Sequence, residues 1–181
     1  MNRPALILIL LLAGALFPEP GYLKYHQAFG FKASNISGYG AFYGWKPTDD
    51  LRLQTTGIYY LFDHKFQEER RVITDYSIGL ELQKDIIQEI DHRYYLMAGG
   101  YYYYDNDETK SDAPFHAIKN SLNCGLGIGY EYFFKRVTLG LELGYKFYSD
   151  KSREKTGDAG WIPVSEKVTK IGAGLNLGFI F

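Results

Sequence analysis

The 181 residues carry 20 basic and 21 acidic side chains, a formal net charge of -1, which lacks the basic excess of a nucleic-acid-binding surface. Tyr at 17, Phe at 12 and Gly at 20 stand beside Met at 2, a bias toward β structure with aromatic belts and against a helical bundle. The length suits one domain, and Cys124, alone, excludes an intrachain disulfide and a Cys-based metal site.

The chain opens MNRPALILILLLAGALFPEP: Arg3, an apolar run from Ala5 to Phe17, and the small triplet Ala13-Gly14-Ala15. This predicts a secretory signal peptide over residues 1–15, with the cut no later than about residue 20, and a single domain over 21–181. The run is shorter than the ~20 apolar residues of a spanning helix. Position 15 is Ala rather than Cys, so no lipid anchor is expected.

A weak first strand, YLKYHQAFGF, is followed by a very short turn near Lys32 to Asn35 and by SGYGAFYGW (37–45). After the turn KPTDD come LRLQTTGIYYLF (51–62), the polar HKFQEERR, VITDYSIGLEL (72–82), KDIIQEID and HRYYLMAGGYYYY (92–104). In the last of these Tyr101 to Tyr104 put an aromatic on both parities and hide the phase. A polar segment, 105–119, precedes LNCGLGIGYEYFF (122–134), which only Lys135-Arg136 separates from VTLGLELGYKFY (137–148), so these two form an antiparallel hairpin. The polar segment 150–166 leads to the final strand, 167–181. There Ile171, Ala173, Leu175, Leu177, Phe179 and Phe181 alternate with Lys170, Gly172, Gly174, Asn176 and Gly178.

Strand side chains point alternately to opposite faces, so this period of two gives each strand one bulky apolar face and one small or polar face. In the last three strands the bulky face holds no charge. A charge there would cost about 2–4 kcal/mol at mid-bilayer. The charges collect on the other face: Arg52, Glu81, Arg93, Glu131, Glu142, Lys146 and Lys170. Long polar segments (64–71, 105–119, 150–166) alternate with shorter ones (46–50, 85–91, 135–136). These features predict an all-β fold, an eight-stranded antiparallel up-and-down transmembrane β-barrel, with the seven charges as a packed interior network.

The terminal GAGLNLGFIF, with Phe181 last, resembles the C-terminal signal by which outer-membrane barrels are recognised for assembly. With the signal peptide and eight strands, the mature chain resembles the small OmpA/OmpX-type barrels of Gram-negative bacteria. The resemblance implies a place in the outer membrane, contact with its lipids and lipopolysaccharide, delivery by the barrel assembly machinery through Phe179 and Phe181, and a monomeric state.

Small barrels of this kind include enzymes acting on lipopolysaccharide, and His116, Ser121 and His26 are the places to look for such chemistry. FHAIKNSLN breaks the His-x-Ser-Asn spacing of the lipid A deacylase type, so no catalytic residues are expected. DNDETKSD, with Asp105, Asp107 and Asp112, lacks the turn glycine and closing Glu of a calcium loop, and neither metal nor cofactor is expected. Lys151, Arg153 and Lys155 could meet lipopolysaccharide phosphates, but Asp150, Glu154 and Asp158 offset them. Trp161, in WIPV, is the candidate contact for a partner, or else an interface marker. The expectation is a non-enzymatic barrel acting in envelope integrity or surface binding through the loops about 64–71, 105–119 and 150–166. The alternatives are a lipopolysaccharide-modifying enzyme, a soluble lipocalin-like binder with its apolar face inward, and a small channel.

Overall fold

The computed structural model describes residues 25–66, 69–111, 114–157 and 160–181. The predicted signal peptide lies outside these residues. Eight strands follow in order: β1 Gln27–Ser34, β2 Gly38–Thr48, β3 Leu51–Phe66, β4 Glu69–Gln88, β5 His92–Lys110, β6 Phe115–Phe134, β7 Val137–Thr156 and β8 Ile162–Ile180. Each pairs antiparallel with its chain neighbours, and β8 closes on β1. Closure is what allows β-sheet to cross a membrane, because no edge leaves backbone groups facing hydrocarbon.

The register sets the size of the cylinder. Partners followed once round from Leu139 through Leu177, Phe31, Ala41, Gly57, Ile78, Tyr102 and Leu122 return to Ser149, ten residues further along β7. That shear on eight strands implies a tilt of roughly 40° and a backbone radius of about 8 Å, room for side chains and little else.

The two faces sort as the alternation requires. Leu126, Ile128, Leu141, Leu143 and Leu175 are exposed on the outside, while Glu131 and Glu142 of the same strands are buried inside. The apolar face is therefore outward, and the lipocalin-like alternative, which needs it inward, is overturned. Gly129 shows why glycine crowds the inner face: a Cβ there would lie 2.1 Å from the Tyr95 ring. Outward aromatics form two belts, Tyr94, Tyr132 and Phe134 below and Tyr59, Tyr76, Tyr104 and Phe147 above.

The polar segments 64–71, 105–119 and 150–166, expected as long loops, are mostly β ladder among their described residues. β3 pairs with β4 as far as Phe66↔Glu69, β5 with β6 as far as Thr109↔Phe115, and β7 with β8 as far as Glu154↔Ile162. Water bathes both faces there, so the apolar alternation that reveals a strand disappears while its hydrogen bonds persist. Cross-strand ion pairs help to hold these extensions: Arg70 to Asp63 at 2.5 Å, Arg71 to Asp107 at 2.6 Å and Lys119 to Asp150 at 3.1 Å.

The first hairpin is the exception. β1 and β2 stop low, and the turn between them tucks inward, with Ile36 and Ser37 buried. The Ser34 hydroxyl accepts from the Ile36 amide at 3.2 Å, and the Asn35 side-chain oxygen accepts from the Ala173 amide at 2.9 Å. Gly38 and Gly40, with φ of 105° and 126°, let the chain re-enter the wall. Lys32, placed by sequence at the start of this turn, belongs to β1 and points inward. Above this hairpin β3 pairs with β2 only up to Gly57 and β8 with β1 only up to Gly174, so the upper six strands form an open sheet with two free edges.

Candidate functional site: the sealed interior and the outer mouth

Three layers close the barrel. At the turn-bearing end Tyr25, Ala28, Phe42, Phe133 and Ile180 form an apolar plug. Near the other end Ile36 reaches down beside Tyr95 and Met97, so close to the wall that a Cβ on Gly125 or Gly172 would lie 2.5 or 2.4 Å from it. Packed against both clusters is a charge network in two linked parts, to which Tyr25 and Tyr95 also contribute hydroxyls.

In the lower part Glu131 accepts from Arg52 at 3.0 Å and from Arg93 at 2.6 Å. Arg93 also reaches Asp85 at 2.5 Å, Asp85 holds Lys46 at 3.0 Å, and Arg52 donates to the Tyr25 hydroxyl at 2.6 Å. In the upper part the Lys32 ammonium sits between Glu81 at 2.5 Å and Glu142 at 2.6 Å, with Tyr95 donating to Glu142 at 3.2 Å. Gln83 joins the two, accepting from Arg93 and donating to Glu81. Lys32, Lys46, Arg52 and Arg93 balance Glu81, Asp85, Glu131 and Glu142. Pairing and hydrogen bonding offset the desolvation cost that isolated buried charges would carry in full.

Of the seven residues singled out by sequence, Arg52, Glu81, Arg93, Glu131 and Glu142 meet in this network. Lys146 and Lys170 share the inward parity but stand above it, each over the Tyr148 ring, at 4.8 and 5.2 Å. Sequence reasoning missed Lys32, Lys46 and Asp85, which it had placed in turns. Lys32 was legible from its parity with Ala28 and Gly30, opposite Phe29 and Phe31. Lys46 shares the parity of Phe42 and Gly44.

The proposed chemistry of His116 and Ser121 finds no shared site. They lie five positions apart on β6, about 16 Å along the strand, on opposite faces. His116 bonds Asn106 at 2.8 Å, while Ser121 donates to Asp150 and accepts from Asn123 at 2.7 Å. His26 is exposed beyond the start of β1. Trp161 is also exposed, just before β8, its ring 5.0 Å from that of His116. Phe181, on the outer surface, exchanges backbone hydrogen bonds of 3.1 and 3.0 Å with Gln27 at the β1–β8 seam.

Above the upper belt the mouth carries several ionised groups. Asp75 lies directly opposite Asp105 on the inner face, and burial, reinforced by Asp105 and Asp107, pushes the Asp75 carboxyl up to about 6. On the hairpin tip the Arg70 guanidinium holds the Asp63 carboxyl below its ordinary range.

The sequence matches no family model and no curated protein. The fold is similar to that of a major outer membrane protein from Thermus thermophilus, 12% identical, covering 87% of this chain and 100% of that one with a TM-score of 0.51. The N-terminal β-barrel domain of Pseudomonas aeruginosa OprF aligns at 20% identity over 90% of this chain and 100% of that one, with a TM-score of 0.48. Acinetobacter baumannii CarO2 aligns at 11% identity over 85% and 98%, with a TM-score of 0.38. The first of these likenesses establishes the architecture, an eight-stranded up-and-down barrel of the outer-membrane type.

Proposed function

From a barrel of the outer-membrane type with a closed interior, we propose a non-enzymatic protein of the bacterial outer membrane that acts through the ladders it raises above the lipid. The observation that carries this reading is the balanced charge network packed against two apolar clusters: the interior is a packed core. Transport would need a continuous path, and acyl transfer or hydrolysis would need a nucleophile beside a base. What remains available to a partner is the raised sheet, with Trp161 and His116 together near its rim and ion pairs along its strands. Envelope integrity and surface binding are the roles this placement supports. The same reading makes Phe179 and Phe181 the segment presented to the assembly machinery, outer-membrane lipids and lipopolysaccharide the surroundings, and the monomer the working unit.

The test is fractionation followed by gel mobility with and without boiling, and then conductance in planar bilayers. The expected result is outer-membrane partition, a boiling-dependent shift and no discrete conductance steps. A protein recovered without detergent and showing no shift would overturn the membrane assignment. Steady single-channel steps would overturn the closed core and favour the channel.

A further inference from the structure

We propose that the outward face of the raised β7–β8 ladder is a binding surface for a polyanionic glycolipid of the lipopolysaccharide class, its head group lying along a column of four cations: Lys167, Lys151, Arg153 and Lys155. The inference rests on the membrane reading above and gives that membrane a specific contact. Three observations carry it.

Strand parity separates charges that the sequence mixes. In the upper part of β7, Asp150, Ser152 and Glu154 share the inward parity of Glu142 and Lys146, whereas Lys151, Arg153 and Lys155 share the outward parity of Leu143 and Phe147. The inward set lines one recess with Asp105, Lys119 and Glu166, and Asp150 is held there by Lys119 at 3.1 Å. Asp150 and Glu154, which offset the basic residues in sequence, therefore stand behind the sheet. Asp158 lies outside the described residues.

The outward cations are close together and unmatched. Successive ones on β7 stand about 7 Å apart along the strand. Lys167, the cross-strand partner of Ser149, is a diagonal neighbour of Lys151. Among the described residues none of the four forms an ion pair, whereas on other raised strands the outward Arg70 has Asp63 at 2.5 Å and Lys110 has Glu108 at 3.2 Å. Like charges so placed repel, and an anion between them turns the repulsion into attraction. Further donors flank the column. Lys151 lies between its cross-strand partners Asn120 and Ser165, and the Asn120 side-chain oxygen accepts from the Tyr102 hydroxyl at 2.7 Å, which leaves the amide nitrogen to donate.

Height selects the class of lipid. With strands tilted by roughly 40°, Lys167 and Lys151 stand about 8 and 10 Å above Phe147 of the upper belt, and Arg153 and Lys155 about 15 and 20 Å above it. The lower pair can reach down to lipid phosphates along their own stems. A phospholipid offers one phosphate, at that level only. A glycolipid with phosphates and acidic sugars at successive heights meets the whole column. At its top Lys155 is the cross-strand partner of His116, whose ring lies 5.0 Å from the exposed Trp161.

The test uses the full chain in mild detergent with a chelator present, so that divalent cations bridge nothing. It measures retention of two probes: a purified rough lipopolysaccharide with a phosphorylated inner core, and phosphatidylglycerol. At about fivefold for each cation engaged, the upper pair predicts roughly 25-fold better retention of the glycolipid by the wild type. R153Q/K155Q should bring the two probes close to parity, and K151Q/K167Q should lower retention of both. K146Q/K170Q removes the same charge from the inner face and should change neither; a boiling-dependent mobility shift confirms that each variant is folded. Equal retention of the probes by the wild type would overturn the proposal, as would a preference that survives R153Q/K155Q. So would an equal loss in K146Q/K170Q, which would make net charge the cause. A wild type with no mobility shift would remove the membrane reading and the column together, whereas a shift without lipid preference removes the column alone.

Discussion

Glu131 is shared by two guanidinium groups: Arg93 has a second carboxylate in Asp85, whereas Arg52 otherwise reaches only the Tyr25 hydroxyl. Glu131→Gln keeps the shape and removes the charge, leaving the buried Arg52 with no carboxylate and Arg93 with Asp85 alone. The expected loss is about 3–5 kcal/mol, read from urea unfolding of the protein in lipid vesicles. A different kind of residue effect belongs to Gly40, whose φ of 126° is one that a side chain rarely adopts and whose added Cβ would lie 2.1 Å from the Gly57 carbonyl oxygen. Gly40→Ala should cost about 1–3 kcal/mol in the same assay through backbone strain and displacement of β3.

At the scale of the element, the raised hairpins draw on cross-strand pairs where the closed barrel draws on lipid and core. The Asp75 carboxyl, raised to about 6 by burial and by Asp105, binds its proton more tightly in the folded ladder than in an unfolded chain. Its contribution to stability is thus fully present below the unfolded value near 3.8 and lost as pH rises through about 6. After division by the base-catalysed intrinsic rate, amide protection in the upper β4–β5 ladder should rise on going from pH 8 to pH 5, and Asp75→Asn should flatten that response. Because the β3–β4 extension lies beyond the ring of closed pairing, joining Phe62 to Ile73 through an Asn-Gly turn should leave the boiling-dependent mobility shift intact. Loss of the shift in that variant would mean the extension helps to close the barrel.

For the whole molecule the question is which solvent meets which face. Leu143, outward and near the middle of the apolar band, is 59% exposed. Leu143→Lys should cost about 2–4 kcal/mol in vesicle refolding, because a bilayer, unlike water, cannot solvate the ammonium. A soluble barrel of the same connectivity would tolerate the change, so this variant separates the two directly. The neutral balance of the interior works at the same scale: four cations and four anions in one connected network leave no excess charge to draw ions through.

Sequence by itself determined the strand count, the up-and-down connectivity, and which residues share each face, because one period-two pattern records a contrast between an apolar side and a small or polar one; that the apolar face is the outward one was decided by the fold. It also identified Arg52, Glu81, Arg93, Glu131 and Glu142 as interior charges, since each interrupts a small-residue face rather than a bulky one. Only the tertiary structure decided the rest. Where both faces of a strand meet water the contrast vanishes, so the ladders at 64–71, 105–119 and 150–166 read as loops. Lys32, Lys46 and Asp85 look like turn residues until closure turns them inward. The meeting of Lys32 with Glu81 and Glu142, and the free edges of β3 and β8 above the first hairpin, follow from the register of distant strands. That register is set by closure of the whole ring, and no local stretch of sequence encodes it.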